Sequence, residues 1–132
     1  MGATSLPIMV DGDDGYGDVK NVTYTVRGYE ALGVQAIFIE DQLAPKKCGH
    51  MDNKKIVPVE VMVEKLKAAV AAKSGDFFVL ARTDALAPEG IDNALRRGEQ
   101  YLKAGADGVY VEGPQTVEQL EAIGRAFKGM PL

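Results

Sequence analysis

Apolar and polar positions follow one another along the chain in four repeats of a single unit: a short apolar run, a polar or glycine-rich break, then a stretch of helical periodicity. Residues 6–10 form the first run, which ends in acids and glycines, and residues 19–32 follow with apolar positions spaced for a helix that Gly33 closes. Residues 35–39 form the second run, ending at Glu40-Asp41-Gln42, and a long polar loop leads from there to a helix over 59–73. In that helix Val59, Met62, Val63, Leu66 and Val70 share one face, while Glu60, Glu64, Lys65 and Lys67 are expected to point away. A third run, 77–81, enters Arg82-Thr83-Asp84, and 91–104 follows as a helix ending at Gly105. The fourth run, 108–111, ends at Glu112-Gly113-Pro114. Thr116 then caps a helix over 117–127 with Glu118 in its first turn. Met130-Pro131-Leu132 reads as the approach to a fifth strand, and no linker or low-complexity tract interrupts the pattern.

Continuous apolar strands, each followed by a helix, predict an α/β fold with a parallel sheet and right-handed crossovers. In such a sheet every polar segment that follows a strand lies at one edge, the C-terminal edge where enzymes of this class keep their chemistry. That rule gathers Asp11, Asp13, Glu40, the loop from Lys46 to His50, Arg82, Asp84 and Glu112 around one cavity.

A length of 132 residues fits one domain. A net charge of -4, with no basic stripe interleaved with aromatics, excludes an ordinary nucleic-acid binder. No run approaches the roughly twenty apolar residues needed to span a bilayer. Residues 1–7 lack the charged and apolar regions of a secretory signal, so a reducing, cytoplasmic compartment is the expectation.

The loop Lys46-Lys47-Cys48-Gly49-His50 places the only cysteine and the only histidine two residues apart behind two lysines. Ammonium groups beside a thiol favour the thiolate, and an imidazole at this spacing exchanges protons with the sulfur or with a substrate. One Cys and one His are too few for structural zinc, and a single cysteine excludes an intrachain disulfide. In Asp11-Gly12-Asp13-Asp14-Gly15-Tyr16-Gly17 crowded carboxylates need a counterion. With Glu40 on the next strand, an oxygen-rich set favours Mg²⁺ or Mn²⁺ over zinc, against the alternative of a plain acidic turn. A calcium loop is a poorer match, because Val19 follows Asp18 where a liganding glutamate is needed. Arg82 is suited to clamp a carboxylate bidentately, with an internal ion pair to Asp84, Glu40 or Glu112 as the competing reading. Tyr16, Tyr110, Met51 and Met62 are expected to pack.

Val10 to Gly17, Ile39-Glu40-Asp41-Gln42, Lys46-Lys47-Cys48-Gly49-His50, Ala81-Arg82-Thr83-Asp84-Ala85 and Val111-Glu112-Gly113, in this order and at these intervals, resemble the isocitrate lyase/phosphoenolpyruvate mutase superfamily. The Lys-Lys-Cys-Gly-His signature is similar to the methylisocitrate lyase and dimethylmalate lyase branch rather than to the phosphonomutases, which lack that cysteine. The resemblance implies a (β/α)₈ barrel of which residues 1–132 form a central part, about four βα units corresponding roughly to strands 3 to 6. It also implies Mg²⁺ held near Asp11, Asp13 and Glu40, partly through water, and Cys48 as the catalytic acid with Lys46 and His50 tuning it. Arg82 and Glu112 would contact substrate.

The activity so implied is cleavage of a small 2-hydroxy di- or tricarboxylate to a 2-oxo acid such as pyruvate plus a carboxylate. The alternatives are an oxaloacetate hydrolase or decarboxylase, a phosphoenolpyruvate phosphonomutase-like enzyme, or an inactive truncated module. A small-molecule carboxylate is the expected partner, and the family's full-length members are homo-oligomers, tetramers among them. Gly12 and Asp14 depart from the residues usual in the family and place an extra negative charge near the metal loop. Since a barrel of this type needs eight strands, the 132 residues by themselves are expected to be inactive or nearly so; lyase turnover comparable to a full-length relative's would contradict this.

Overall fold

The structure, a computed structural model, describes residues 5–48, 51 and 53–131. Its strands are β1 (Met9–Asp11), β2 (Ala36–Glu40), β3 (Phe78–Thr83) and β4 (Gly108–Val111), all parallel in the order β1-β2-β3-β4. Between and after them come helices α1 (Val19–Ala31), α2 (Val59–Ala72), α3 (Leu86–Glu89), α4 (Ile91–Lys103) and α5 (Val117–Ala126). The expected α/β fold with four βα units is therefore present. β1 is shorter than the predicted run, β2 and β3 extend one and two residues further, and the single-turn helix α3 had no periodicity long enough to announce it.

Local chemistry explains the helix starts. The Asp18 carboxylate accepts from the backbone N–H groups of Lys20 and Asn21, opening α1. Thr116 and Gln119 form a reciprocal capping box at the start of α5, as the threonine predicted.

Strand alternation sorts the sheet into two unlike faces. Ile37, Ile39, Val79, Ala81, Val109 and Val111 point to one side and are buried against Val22 and Val26 of α1, Met62, Leu66 and Ala69 of α2, Tyr101 of α4, and Ile123 of α5 with Phe127 just beyond it. Met9, Phe38, Leu80 and Tyr110 point to the other side and line an open hollow of about 280 Å³ with Arg82. A doubly wound sheet carries helices on both faces, whereas a (β/α)₈ barrel carries them on the outside only; this sheet has the second arrangement. The carbonyl of Pro131 accepts the N–H of Val109 at 3.2 Å, so the backbone beyond α5 lies against β4 where a fifth strand was expected to approach.

Two helical positions depart from the predicted pattern. Lys65 is buried, because it lies three residues from Met62 on the stripe that faces the core. Gly98 sits within α4, where glycine costs about 1 kcal/mol relative to alanine. A Cβ there would come within 2.5 Å of the Phe127 ring and 3.1 Å of Val109. The glycine lets α4 approach β4 closely. Gly98→Ala should lower stability by about 1–2 kcal/mol despite its better helix propensity, and Phe127→Leu in the same chain should recover part of the loss; denaturant titration of the variants measures both.

Candidate active site

The C-terminal edge of the sheet begins with the turn after β1. Gly12 continues the ladder by donating to the Phe38 carbonyl at 2.9 Å, and the Glu40 N–H donates to the Asp13 carbonyl at 2.8 Å. Asp11 accepts from the Asp13 N–H and Asp14 from the Tyr16 N–H, so the acids shape the loop that carries them. Gly15, at φ +84°, seats the turn on α1: a Cβ would meet Val22 at 2.4 Å. The extra charge of Asp14 is answered from α2, where the buried Lys65 ammonium donates to the Asp14 carbonyl at 2.7 Å and lies 3.5 Å from its carboxylate.

Asp11 and Asp13 converge on Lys46. Its ammonium is ion-paired with Asp13 and lies 3.7 Å from Asp11, and the hydrogen bond it donates to Asp13 pushes its pKa up. Glu40 faces the same side of the sheet and is only 1% exposed. One of its oxygens is 3.4 Å from Arg82 Nε; the other, Oε1, is buried with no hydrogen-bond partner among the described residues. Burial raises the Glu40 carboxyl to about 7, with Arg82 and Lys46 opposing and Asp84 and Asp11 adding to the shift.

Arg82 is held by a fork–fork pair, Nε and Nη2 donating to the two oxygens of Asp84 at 2.9 and 3.2 Å, and Glu112 lies 3.6 Å from Nη2. Burial disfavours the guanidinium charge, but Asp84, Glu112 and Glu40 outweigh it. Asp84 also accepts from buried Lys54 at 2.9 Å; Arg82 and Lys54 hold its carboxyl below the usual range in spite of burial. The internal ion pair that competed with substrate binding for Arg82 is therefore present, with all three acids named for it.

The structure thus brings Asp11, Asp13 and Lys46 together, and Glu40, Arg82 and Glu112 together beside them. Cys48 is exposed on the loop that carries Lys46, and His50 lies outside the described residues. Met62 is buried as expected, but Tyr16, Met51 and Tyr110 are exposed rather than packed. Tyr16 spends its hydroxyl on the Asp11 carbonyl, and Tyr110 stands on the uncovered face of the sheet, beside Arg82 in register.

Two further side chains hold this edge and were not singled out from the sequence. Gln42 is buried, and its amide accepts from the Lys47 N–H and donates to the Lys47 carbonyl, both at 2.9 Å. With the Leu43 N–H on the Lys55 carbonyl, this closes the base of the loop of residues 43–55. Asp41, fully buried, accepts from the Thr83 hydroxyl, the Asp84 N–H and the Tyr101 hydroxyl. Arg97 lies 3.5 Å from Asp41 and forms a fork with Glu89 of α3. A signal existed for Asp41, which shares a strand face with Ile37 and Ile39, and for Arg97, which lies on the buried stripe with Ala94 and Tyr101.

Among the described residues no three acidic, His or Cys side chains converge on one point. A divalent cation here would bind through one or two carboxylates and complete its shell with water or substrate oxygens, the usual habit of Mg²⁺. Asp11, Asp13 and Asp14 face Lys46 and Lys65; Glu40, Asp84 and Glu112 face Arg82 and Lys54. With every acid ionised, as metal binding would require of Glu40, each cluster carries among the described residues three negative charges against two positive. That surplus, with the unpartnered Glu40 oxygen, fits a doubly charged ion.

The family described as phosphoenolpyruvate phosphomutase matches residues 1–132. The chain is 47% identical over 131 residues to 2,3-dimethylmalate lyase of Eubacterium barkeri, covering 98% of this chain and 45% of the relative. It is 42% identical to 2-methylisocitrate lyase of Shewanella oneidensis, covering 89% and 40%. Among solved structures, 2,3-dimethylmalate lyase superposes with a TM-score of 0.94 at 35% identity, over 98% of this chain and 44% of that one. Oxaloacetate acetylhydrolase bound to 3,3-difluorooxalacetate gives 0.92 at 37% identity (95% and 43%), and phosphonopyruvate hydrolase with oxalate and Mg²⁺ gives 0.83 at 38% (96% and 44%). The chain spans less than half the length of these relatives. Its one-sided sheet, the order of its edge motifs and a match along its whole length place it in the phosphoenolpyruvate mutase/isocitrate lyase superfamily.

Proposed function

We propose that this chain supplies the cation- and carboxylate-binding edge of a Mg²⁺-dependent carbon–carbon lyase acting on a small 2-hydroxy di- or tricarboxylate of the 2-methylisocitrate or 2,3-dimethylmalate type. The observation that carries the reading is the pairing of opposites at one edge: a buried carboxylate with an unpartnered oxygen, Glu40, beside a guanidinium held in fixed orientation, Arg82. Asp11, Asp13 and Glu40 would hold Mg²⁺ or Mn²⁺, which as a Lewis acid would polarise the 2-hydroxy acid as its hydroxyl is deprotonated. Arg82 takes a substrate carboxylate and Glu112 borders it. Lys46, swinging off Asp13 and Asp11, adds a second positive charge for a substrate oxygen. As the hydroxyl of C2 gives up its proton to solvent, the C2–C3 bond breaks, C2 becomes the carbonyl of the 2-oxo acid, and the pair left on C3 takes a proton from Cys48; the thiolate, tuned by Lys46 and His50, then regains one proton from solvent.

The likeness to oxaloacetate acetylhydrolase favours a second reading, hydrolysis of oxaloacetate to oxalate and acetate on the same edge. Incubating a full-length enzyme that carries this edge, in the presence of Mg²⁺, with 2-methylisocitrate, 2,3-dimethylmalate, isocitrate and oxaloacetate separates the two; the 132 residues alone are expected to give little or no product. A lyase releases pyruvate or glyoxylate from one of the hydroxy acids, and Cys48→Ser should lower that rate at least about a hundredfold. Oxalate appearing only from oxaloacetate would sink the lyase reading.

Glu40 gives a pH prediction. Its folded pKa, about 7, lies above the unfolded value of 4.5, so the folded state holds the proton more tightly and cation-free stability should fall as pH rises through that window. Glu40→Gln should flatten this profile in thermal melts. Since the ion must displace the same proton, Mg²⁺ affinity measured by calorimetry should rise between about pH 6 and 8 in the unmodified protein and change little in Glu40→Gln.

A further inference from the structure

We infer that Asp41 and Tyr101 are positioning residues for the Arg82 anion clamp; the inference rests on reading Arg82 as the group that takes a substrate carboxylate. Neither touches the open face. Asp41 leaves β2 toward the helices, on the side opposite Glu40, and both of its oxygens are spent on the end of β3. Oδ1 accepts the Asp84 N–H at 2.9 Å, and Oδ2 accepts the Thr83 hydroxyl at 2.7 Å. The Thr83 oxygen in turn accepts the Ala85 N–H at 3.2 Å, so one carboxylate fixes the backbone of residues 83–85. From that fixed turn the Asp84 side chain reaches back across the sheet edge and grips both Nε and Nη2 of Arg82.

Tyr101 completes the support from α4. Its hydroxyl donates to Asp41 Oδ2 at 2.7 Å and accepts from Arg97 Nη1, which also donates to the Val57 carbonyl. A buried carboxylate is a costly way to fill space on a helix-facing strand position, where an apolar side chain would serve packing better. Here it converts the orientation of a helix side chain into the orientation of the Asp84 carboxylate, and so of the guanidinium.

Tyr101→Phe tests this with the ring still packed, using oxalate in the presence of Mg²⁺ as the probe and calorimetry as the readout. Oxalate affinity should fall about three- to tenfold in Tyr101→Phe, less than the full loss of a hydrogen bond to a charged group, because Tyr101 acts on the clamp through Asp41. In Arg82→Lys, which keeps the charge but loses the fork, adding Tyr101→Phe should change affinity less than twofold, because the positioned group is already gone. Thr83→Val should weaken oxalate binding and Thr83→Ser should not; these two keep the test open if Tyr101→Phe folds poorly. A lower melting temperature with unchanged oxalate affinity would overturn the inference, as would equal losses in both Arg82 backgrounds. Unchanged affinity in Arg82→Lys alone would instead overturn the reading of Arg82 on which the inference rests.

Discussion

A pleated strand sends consecutive side chains to opposite faces, and at the end of β2 that constraint separates two adjacent carboxylates into different worlds. Glu40 turns to the open face, beside the turn after β1 and Arg82, yet keeps one oxygen without a partner among the described residues. Asp41 turns to the helices and is saturated with donors. The same burial penalty is met on one side by a gap that an ion can fill and on the other by a rigid polar network. The placement of Arg82 follows from both: Glu40 flanks it on its own face, and Asp41 fixes the turn behind it.

Much of this was legible in the residues. Apolar runs separated by helical periodicity fix the order of elements, and alternation within Ile37, Ile39 and Asp41 already assigns a carboxylate to the core side. What escaped was tertiary. Lys65 reads as a solvated helix residue until the Asp14 turn is seen above it, and Lys54 carries no local pattern that announces a partner thirty residues on. Gly98 reads as a weak point of α4, because only the Phe127 ring explains it. The edge motifs were visible for the opposite reason: strand ends in a parallel sheet converge whatever the helices between them do.

Packing makes the helices and the open face unequal partners. The two buried apolar clusters lie on the helix side, where α1, α2, α4 and α5 cover the strands. The inner side offers Phe38, Leu80 and Tyr110 around a shallow hollow, with the charged edge directly above. Stability and chemistry are thereby laid on opposite faces of one sheet, so each is exposed to different substitutions. Changes in the helices reach the edge through a few named side chains: Val22 under Gly15, Lys65 on the Asp14 carbonyl, and Tyr101 on Asp41.

The Gln42 clamp separates a loop's function from its length. Both hydrogen-bonding groups of one side-chain amide are spent on Lys47, and the Leu43–Lys55 bond closes the other strand of the loop base. Lys46 and Cys48 are thus referenced to the end of β2, not to the loop's tip. The register of the lysine against its two aspartates is inherited from the strand, so one amide side chain is the point at which a single substitution would loosen the ammonium and the thiol together.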